Sequence, residues 1–253
     1  MMPIQIKAED VAIFKIPESA IFESRDKKVG RIAGDLVWNR DADLFLTTLK
    51  PRKEVIRQIP PSKIITDFYC WDASLMPYYN KERADEKFDE VKLLGCDKCV
   101  ELDFSVWYEK PHIINLYNIF FANRRTRDMY MKGIKIAVNF NLITPNYFEI
   151  ADYYLPQTIN TMVCDNNHAI NDVYLQSDYE SFEKIYNSGR KLKSVIFIDG
   201  KVDKSYLMPI LKLLERNDTY YTFIPSRIRL MSLLSKKFDL ERKVKKERLL
   251  NIR

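Results

Sequence analysis

Acidic and hydroxyl side chains follow several apolar, β-prone segments of this sequence at the point where each segment ends. CVELDFS delivers Asp103 and Ser105, while KIITDFY and KSVIFIDG deliver Asp67 and Asp199. Clustered carboxylates repel one another, so they persist where a divalent cation, an arginine or a shared proton compensates them. Mg²⁺ is held by one or two carboxylates together with water and substrate phosphate. The pattern predicts a catalytic site of Asp67, Asp103, Ser105 and Asp199, whose three aspartates bind Mg²⁺ or Mn²⁺ for phosphodiester chemistry.

These aspartates also have a purely structural interpretation. Asp and Asn are common directly after strands, because their side chains cap the following helix or begin a turn. The recurrence of such residues is what favours a shared site. Asn139 and Asn141 follow another apolar segment, and residues 165–168, DNNH, follow a further one.

The cysteines contain one C-x-x-C pair, Cys96 and Cys99. Its functional interpretations are half of a zinc site or a redox pair. A second C-x-x-C is missing and the chain has two histidines, so four zinc ligands would come from separate segments. We therefore interpret these cysteines as ordinary reduced thiols.

Basic residues are candidates for nucleic-acid contact at two places. Arg124 and Arg125 lie on a segment that also carries aromatic residues, and such mixtures can stack bases and grip phosphates. We expect the aromatic residues themselves, Tyr117, Phe120 and Phe121, to pack in the core.

The second basic region is residues 236–253, with eight Lys or Arg against three Asp or Glu, whereas the whole chain has a net charge of +6. The positive field is therefore local to this amphipathic tail. Nucleic-acid contact, docking on a partner protein and a solvated extension are its three interpretations. For the first, the predicted contacts are Arg242, Lys243, Lys245, Lys246 and Arg248.

The elements that must position these residues alternate along the chain. Strand-like segments of five to seven residues are predicted at 63–69, 99–105, 134–140, 158–164, 193–200 and 219–225. Helices are predicted between them, at 81–94, 112–132, 145–154, 179–189 and 204–217, with Pro209 implying a kink or a late start. This alternation is typical of βαβ units, which form a mostly parallel sheet covered by helices. The fold class is α/β, as an open doubly wound sheet or a TIM-like barrel.

Three regions are expected along the 253 residues. Residues 1–60 form an irregular segment with short strands at 11–16 and 35–38 and a helix at 41–49, packed on the main domain. Residues 61–225 form the α/β domain, and residues 226–253 form the basic helical tail. No stretch approaches the ~20 apolar residues of a membrane span, and the start lacks the pattern of a signal peptide, so we expect no membrane partner.

The segment DFSVWYEKPHIINLYNIFF resembles an uncharacterised domain family of bacteriophages, prophages and plasmids. In that family a strand ends in S-P-D-F-S, a proline opens a helix with Y-N-x-Y-R-x-R, and a glycine precedes the next strand. Asp103, Phe104, Ser105, Pro111, Asn118 and Gly133 match. Glu101 and Leu102 replace Ser-Pro, and Phe121 and Asn123 stand at the family's arginine positions. The resemblance implies a mobile-element protein that works in the cytoplasm of a bacterial host, without implying an activity.

Three functions are compatible with these features. The first is a phage or mobile-element protein of DNA metabolism, replication or host takeover that contacts DNA or RNA. The second is a metal-dependent nuclease or phosphohydrolase that uses the aspartates. The third is a non-catalytic scaffold that binds a host protein.

Overall fold

The computed structural model of the chain describes residues 37–40, 64–67, 75–93, 97–106, 111–165, 172–199 and 204–225. The strands in these segments are β1 (Val37–Arg40), β2 (Ile64–Asp67), β3 (Lys98–Val100), β4 (Lys135–Asn139), β5 (Thr158–Ile159), β6 (Met162–Asp165), β7 (Lys191–Leu192), β8 (Ser194–Asp199) and β9 (Tyr220–Pro225). The α-helices are α1 (Lys81–Leu93), α2 (His112–Met131), α3 (Phe148–Tyr154), α4 (Asp172–Asn187) and α5 (Met208–Arg216). Short 3₁₀ turns occupy Met76–Tyr79, Phe140–Leu142, Pro145–Tyr147 and Lys204–Leu207.

Seven of the described strands form the main sheet in the order β1-β2-β3-β4-β6-β8-β9, and every neighbouring pair is parallel. The short strands β5 and β7 form a separate parallel pair. Strand order in the main sheet follows chain order without a reversal. A doubly wound sheet requires one reversal, so the described strands do not have that arrangement.

The described helices pack on one face of this sheet, which we call the helix face. One hydrophobic cluster joins side chains of α1 to α5 with strand residues such as Cys99, Ile136, Cys164 and Phe197. This one-sidedness follows from the strand order, because right-handed crossovers that always step in the same direction place their helices on the same side.

The opposite face of the sheet, which we call the inner face, is also buried and contributes a second cluster. Its residues have exposed fractions of 0 to 3%: Ile65, Val100, Ala137, Val163, Ile196 and Ile198. Burial on both faces explains why these strands read as continuous apolar runs instead of alternating ones.

The helix predicted at 112–132 is confirmed within one residue, as α2. Pro111 precedes it, where a proline's missing N–H costs nothing. Gly133 ends it with φ of +76°, and the N–H groups of Gly133 and Ile134 bond back to Tyr130 O (2.8 Å) and Met129 O (3.1 Å). The late start implied by Pro209 is also confirmed, because α5 begins at Met208 after a 3₁₀ turn.

Three predicted elements differ clearly from the structure. The strand expected at 158–164 is divided between β5, in the short pair, and β6, in the main sheet. The strand expected at 99–105 ends at Val100, and residues 101–106 continue without regular structure. The helix expected at 179–189 begins seven residues earlier, at Asp172. In its first turn Val173 and Tyr174 are exposed, so the apolar periodicity of its later part does not extend to them.

The first 60 residues contribute strand β1, which pairs in parallel with β2 from Val37–Ile64 to Arg40–Asp67. The predicted strand at 11–16, the helix at 41–49 and the basic tail lie outside the described residues. Among the helices that are described, none combines the length and the apolar composition needed to cross a bilayer.

Candidate functional site at the carboxyl edge of the sheet

Polar residues end four neighbouring or near-neighbouring strands of the main sheet. β2 ends at Asp67, β4 at Asn139, β6 at Asp165 and β8 at Asp199. Because the strands are parallel, all four ends lie at one edge, the carboxyl edge. This is the edge at which parallel α/β sheets carry their ligand sites.

Strand alternation divides these four positions between the two faces. Asp67, Asn139 and Asp165 each follow an inner-face residue of their own strand by two positions. Position 199 instead follows Phe197 by two, and Phe197 belongs to the helix-face cluster. The backbone therefore assigns positions 67, 139 and 165 to one face and position 199 to the other.

Asn139 joins β4 to the segment after β3. Its side-chain Nδ2 donates to Asp103 Oδ1 at 2.9 Å, and its Oδ1 accepts from the N–H of Asn141 at 3.0 Å. Asn139 is fully buried and Asp103 is half-buried. With both ends of the amide engaged, Asn139 holds the Asp103 carboxylate at the carboxyl edge in a fixed orientation.

Ser105 is anchored through its backbone. Its carbonyl oxygen accepts from Asn118 Nδ2 at 2.6 Å, and Asn118 Oδ1 accepts from the Tyr79 hydroxyl at 3.2 Å. Asn118 lies on α2, so this amide ties residues 101–106 to that helix. These two contacts, one from Asn139 to Asp103 and one from Asn118 to Ser105, hold the short irregular segment that carries Asp103.

Glu101 was not among the predicted site residues, although it precedes Asp103 by two positions. Its side chain is fully buried. Oε2 accepts from the N–H of Asn139 at 2.8 Å, and Oε1 lies 3.3 Å from Thr126 Oγ1. Burial raises the pKa of Glu101 to about 7, against the opposing effects of hydrogen bonds from the Asn139 N–H and the Thr126 hydroxyl. A single acid inside the apolar run CVEL was the sequence signal that could have identified it.

A second polar group lies at the start of α2. Tyr147 Oη accepts from Asn115 Nδ2 at 2.9 Å and lies 2.8 Å from Nδ1 of His112. The Tyr147 hydroxyl therefore contacts both Asn115 and His112 of α2. His112 is exposed, whereas Asn115 and Tyr147 are buried.

Cys164 is the last residue but one of β6, and Asp178 lies on α4. Burial raises the pKa of Asp178 to about 7. Burial also raises the pKa of the Cys164 thiol well above its usual value, and the carboxylates of Asp178 and Asp165 add to this. Cys164 is therefore a protonated, unreactive thiol.

The predicted metal site is only partly covered by the described side chains. Among those side chains, no group of three or more His, Cys, Asp or Glu is arranged to hold a metal ion. The side chains of Asp67 and Asp199 are outside the described part, so the aspartate triad stays a prediction. Cys99 is buried and reduced, and Cys96 lies outside the described residues.

Arg125 has a different role from the predicted nucleic-acid contact. Its side chain is 2% exposed. Nε donates to Tyr78 O at 2.5 Å, Nη2 to Tyr79 O at 3.0 Å, and Nη1 to Asp128 Oδ2 at 2.5 Å. All three guanidinium nitrogens donate inside the protein, which argues against a phosphate contact here.

Arg124, the neighbour of Arg125, is exposed and keeps its predicted role as a hypothesis. The helix turn separates the two, because successive residues lie about 100° apart around a helix axis. Of the aromatic residues on α2, Phe121 packs against the core, stacks on Tyr117 and meets Tyr79 edge-on. The tail contacts, Arg242, Lys243, Lys245, Lys246 and Arg248, lie outside the described residues.

Comparison with known proteins adds no family to this description. No family model matches the chain, and no curated protein matches it. The resemblance of about residues 60 to 225 to a phage and plasmid domain family therefore stays a prediction.

Proposed function

We propose that this chain is a divalent-cation-dependent enzyme that acts on phosphate esters of nucleic acids or nucleotides at the carboxyl edge of its sheet. The observation that carries the proposal is the Asp103 carboxylate, held at that edge by the Asn139 amide at 2.9 Å. Asp165 is the last residue of the neighbouring strand β6, and strand alternation assigns it to the same face as Asn139.

The chemistry of such a site follows from its donors. Carboxylate and amide oxygens are hard ligands that suit Mg²⁺ and Mn²⁺. A bound cation would polarise a phosphoryl oxygen and lower the pKa of a bound water, the nucleophile of phosphodiester hydrolysis. A ligand whose orientation is already fixed loses little freedom when the cation binds, which supports Asp103 as the central ligand.

We also propose that the main sheet curves into a barrel. Strictly sequential strand order, helices on one face and a buried inner face are the features of a TIM-like barrel, in which the inner face is the barrel interior. In that arrangement the inner-face positions 67, 139 and 165 converge at the mouth of the barrel. Pairing between β1 and β9 would close it.

Calorimetric titration of Mn²⁺ and Mg²⁺ tests the cation site. We expect the wild type to bind, and Asp103→Asn to weaken the affinity at least about tenfold, since a metal ligand's charge is lost. Asp97→Asn is the matched control. Asp97 is exposed and directly precedes β3, the strand after which Asp103 follows. Absence of binding heat in the wild type, or equal affinities in both variants, would refute the proposal.

A phosphodiester substrate tests the chemistry. With Mn²⁺ present, the wild type should hydrolyse bis(p-nitrophenyl) phosphate or a single-stranded oligonucleotide faster than Asp103→Asn does. Cation binding without hydrolysis of either probe would support the cation site and refute the proposed enzymatic activity.

The uneven charge favours a second candidate, nucleic-acid contact through the tail by a mobile-element protein of DNA metabolism or host takeover. Eight of the 41 Lys and Arg lie within residues 236–253. Counterion release predicts that DNA affinity falls steeply with salt, and that deletion of residues 236–253 flattens this dependence. An unchanged slope in the deletion variant excludes tail contact. If the protein binds neither cation nor DNA, the scaffold hypothesis remains.

A further inference from the structure

A groove lies between α4 and α5, two helices that pack against each other. Its volume is about 530 Å³, and its apolar floor consists of Leu175, Tyr179, Met208 and Pro209. Met208 is 45% exposed, so this apolar surface faces solvent instead of the core. The groove is therefore an open surface feature that a ligand can reach.

Two cations line the same groove. Lys212 and Arg216 are exposed and stand about one helical turn apart on α5, about 6 Å along the helix axis. Within the described part of the chain, neither one pairs with a carboxylate, whereas Lys132 and Arg190 each hold an aspartate. The groove thus offers two positive charges that no described side chain neutralises.

No carboxylate belongs to the lining of this groove, as far as the chain is described. Glu215 of α5 accepts a hydrogen bond from the Tyr221 hydroxyl on β9 at 2.9 Å. Glu180 of α4 accepts from Gln176 Nε2 at 2.8 Å. The acids of the two helices that have these partners are engaged elsewhere, so the lining favours an anionic ligand that also has apolar surfaces.

The groove begins near the carboxyl edge of the sheet. α4 follows β6, and α5 starts directly after the 3₁₀ turn that follows β8, so both helices begin at the side where those strands end. The turn adds the exposed Tyr206 and also Lys204, whose Nζ lies 4.3 Å from the centre of the Phe223 ring on β9. A chain molecule that lies in the groove can therefore continue to the edge that carries Asp103 and Asn139.

We propose that the groove binds single-stranded nucleic acid, with neighbouring phosphates on Lys212 and Arg216 and a base on the Tyr179 ring. Aromatic and apolar surfaces flanked by cations bind single strands, because every base has a face that can stack and every linkage carries a charge. In a duplex the base faces are covered by their neighbours, so the apolar floor would gain no contact. The inference rests on the proposed function in one respect, since it names the single strand as the substrate that reaches the carboxyl edge.

Fluorescence anisotropy of a short labelled oligothymidine, measured in EDTA, tests the groove without any cation. The double variant Lys212→Met, Arg216→Met should bind about tenfold more weakly than the wild type. Its plot of log affinity against log salt concentration should be flatter by roughly 1.4, because each phosphate contact on a single strand contributes about 0.7 to that slope.

The matched control is the double variant Lys135→Met, Lys191→Met, which loses the same charge. These exposed lysines open β4 and β7 and therefore lie at the opposite, amino side of the strands. Equal losses of affinity in the two double variants, or no loss in the groove variant, overturn the inference. Binding that only the deletion of residues 236–253 weakens also overturns it, in favour of the tail.

Two further probes identify the class of ligand, namely the duplex of the same oligonucleotide and a polyglutamate peptide, which has charge without bases. The variant that lacks Lys212 and Arg216 should lose less affinity for either probe than for the single strand. Equal losses with the duplex overturn the preference for single strands. Equal or larger losses with polyglutamate overturn the nucleic-acid assignment and indicate an acidic protein segment.

Base stacking has its own test in Tyr179→Leu, which keeps an apolar side chain and removes the ring. This variant should bind oligothymidine about tenfold more weakly and polyglutamate as the wild type does. Wild-type affinity for oligothymidine overturns the stacking contact. If Tyr179→Leu does not fold, the comparison of the two double variants still decides the inference.

The inference and the proposed function fail in different ways. Groove-dependent binding of oligothymidine without hydrolysis of any phosphodiester probe supports the inference and refutes the proposed enzymatic activity. Hydrolysis that requires Asp103, together with oligonucleotide binding that does not depend on Lys212 and Arg216, overturns the inference and leaves the proposed function intact.

Discussion

The best-defined prediction concerns Arg125, whose guanidinium fastens α2 to the segment that precedes α1. Arg125→Met keeps most of the aliphatic volume and removes three hydrogen bonds. The acceptors left behind are the carbonyls of Tyr78 and Tyr79 and the carboxylate of Asp128. Water does not reach this place easily, because the Arg125 side chain is 2% exposed.

The magnitude follows from what each acceptor can recover. A hydrogen bond to a charged group contributes ~1.5–3 kcal/mol, and breaking one partner from a buried ion pair costs ~3–5 kcal/mol. The Asp128 side chain is 21% exposed and regains water, which favours the lower end. We expect Arg125→Met to lower the free energy of unfolding by about 3 kcal/mol.

Urea denaturation followed by circular dichroism measures this change, with Arg124→Met as the control. Arg124 is the adjacent residue of the same type and is exposed. Its replacement should change the free energy of unfolding by less than about 0.5 kcal/mol. A loss below about 1 kcal/mol in Arg125→Met, or equal losses in both variants, would show that the guanidinium is not a structural fastener.

Three further predictions concern residues with equally specific surroundings. The pKa of Glu101 in the folded protein is raised from 4.5 to about 7, so between these pH values the folded state binds more protons than the unfolded state. As pH rises from 4.5 to 7, the free energy of unfolding of the wild type should therefore fall by up to about 3 kcal/mol relative to Glu101→Gln. Urea titrations at each pH measure this change. Gly133→Ala should cost about 1 kcal/mol by thermal unfolding, through backbone strain alone, because φ is +76° and a Cβ would meet nothing within 4 Å; an unchanged melting temperature contradicts this. Asn118→Leu should cost about 2 kcal/mol and speed proteolysis near Ser105, since that carbonyl and the Tyr79 hydroxyl lose their partner; wild-type proteolysis rates would argue that other contacts anchor the segment.

Much of the fold could be predicted because it depends on local features. The 20 residues of α2 carry a proline before the first turn and a glycine after the last, which are signals within the chain itself. β8 is a six-residue, mostly apolar strand that ends at Asp199, and a glycine follows it in the sequence. The strand and helix alternation predicts a parallel sheet for the same reason.

The candidate site was harder to predict, because its contacts join residues far apart in sequence. Asn139 reaches Asp103 across 36 positions, and Glu101 reaches Asn139 across 38. No spacing rule connects such residues. The adjacent arginines illustrate the limit most directly, since identical side chains at positions 124 and 125 were given one role and have opposite exposures.

The sequence alone determined the α/β class, the approximate bounds of most described helices and strands, and the placement of acidic and amide residues at strand ends, because propensity, capping and apolar runs act over a few residues. Tertiary structure decided the strand order, the one-sided packing of the helices, the burial of Arg125 and Glu101, and the grip of Asn139 on Asp103. These features depend on which distant segments come into contact, because such contacts determine which side chains are buried and which groups form hydrogen bonds.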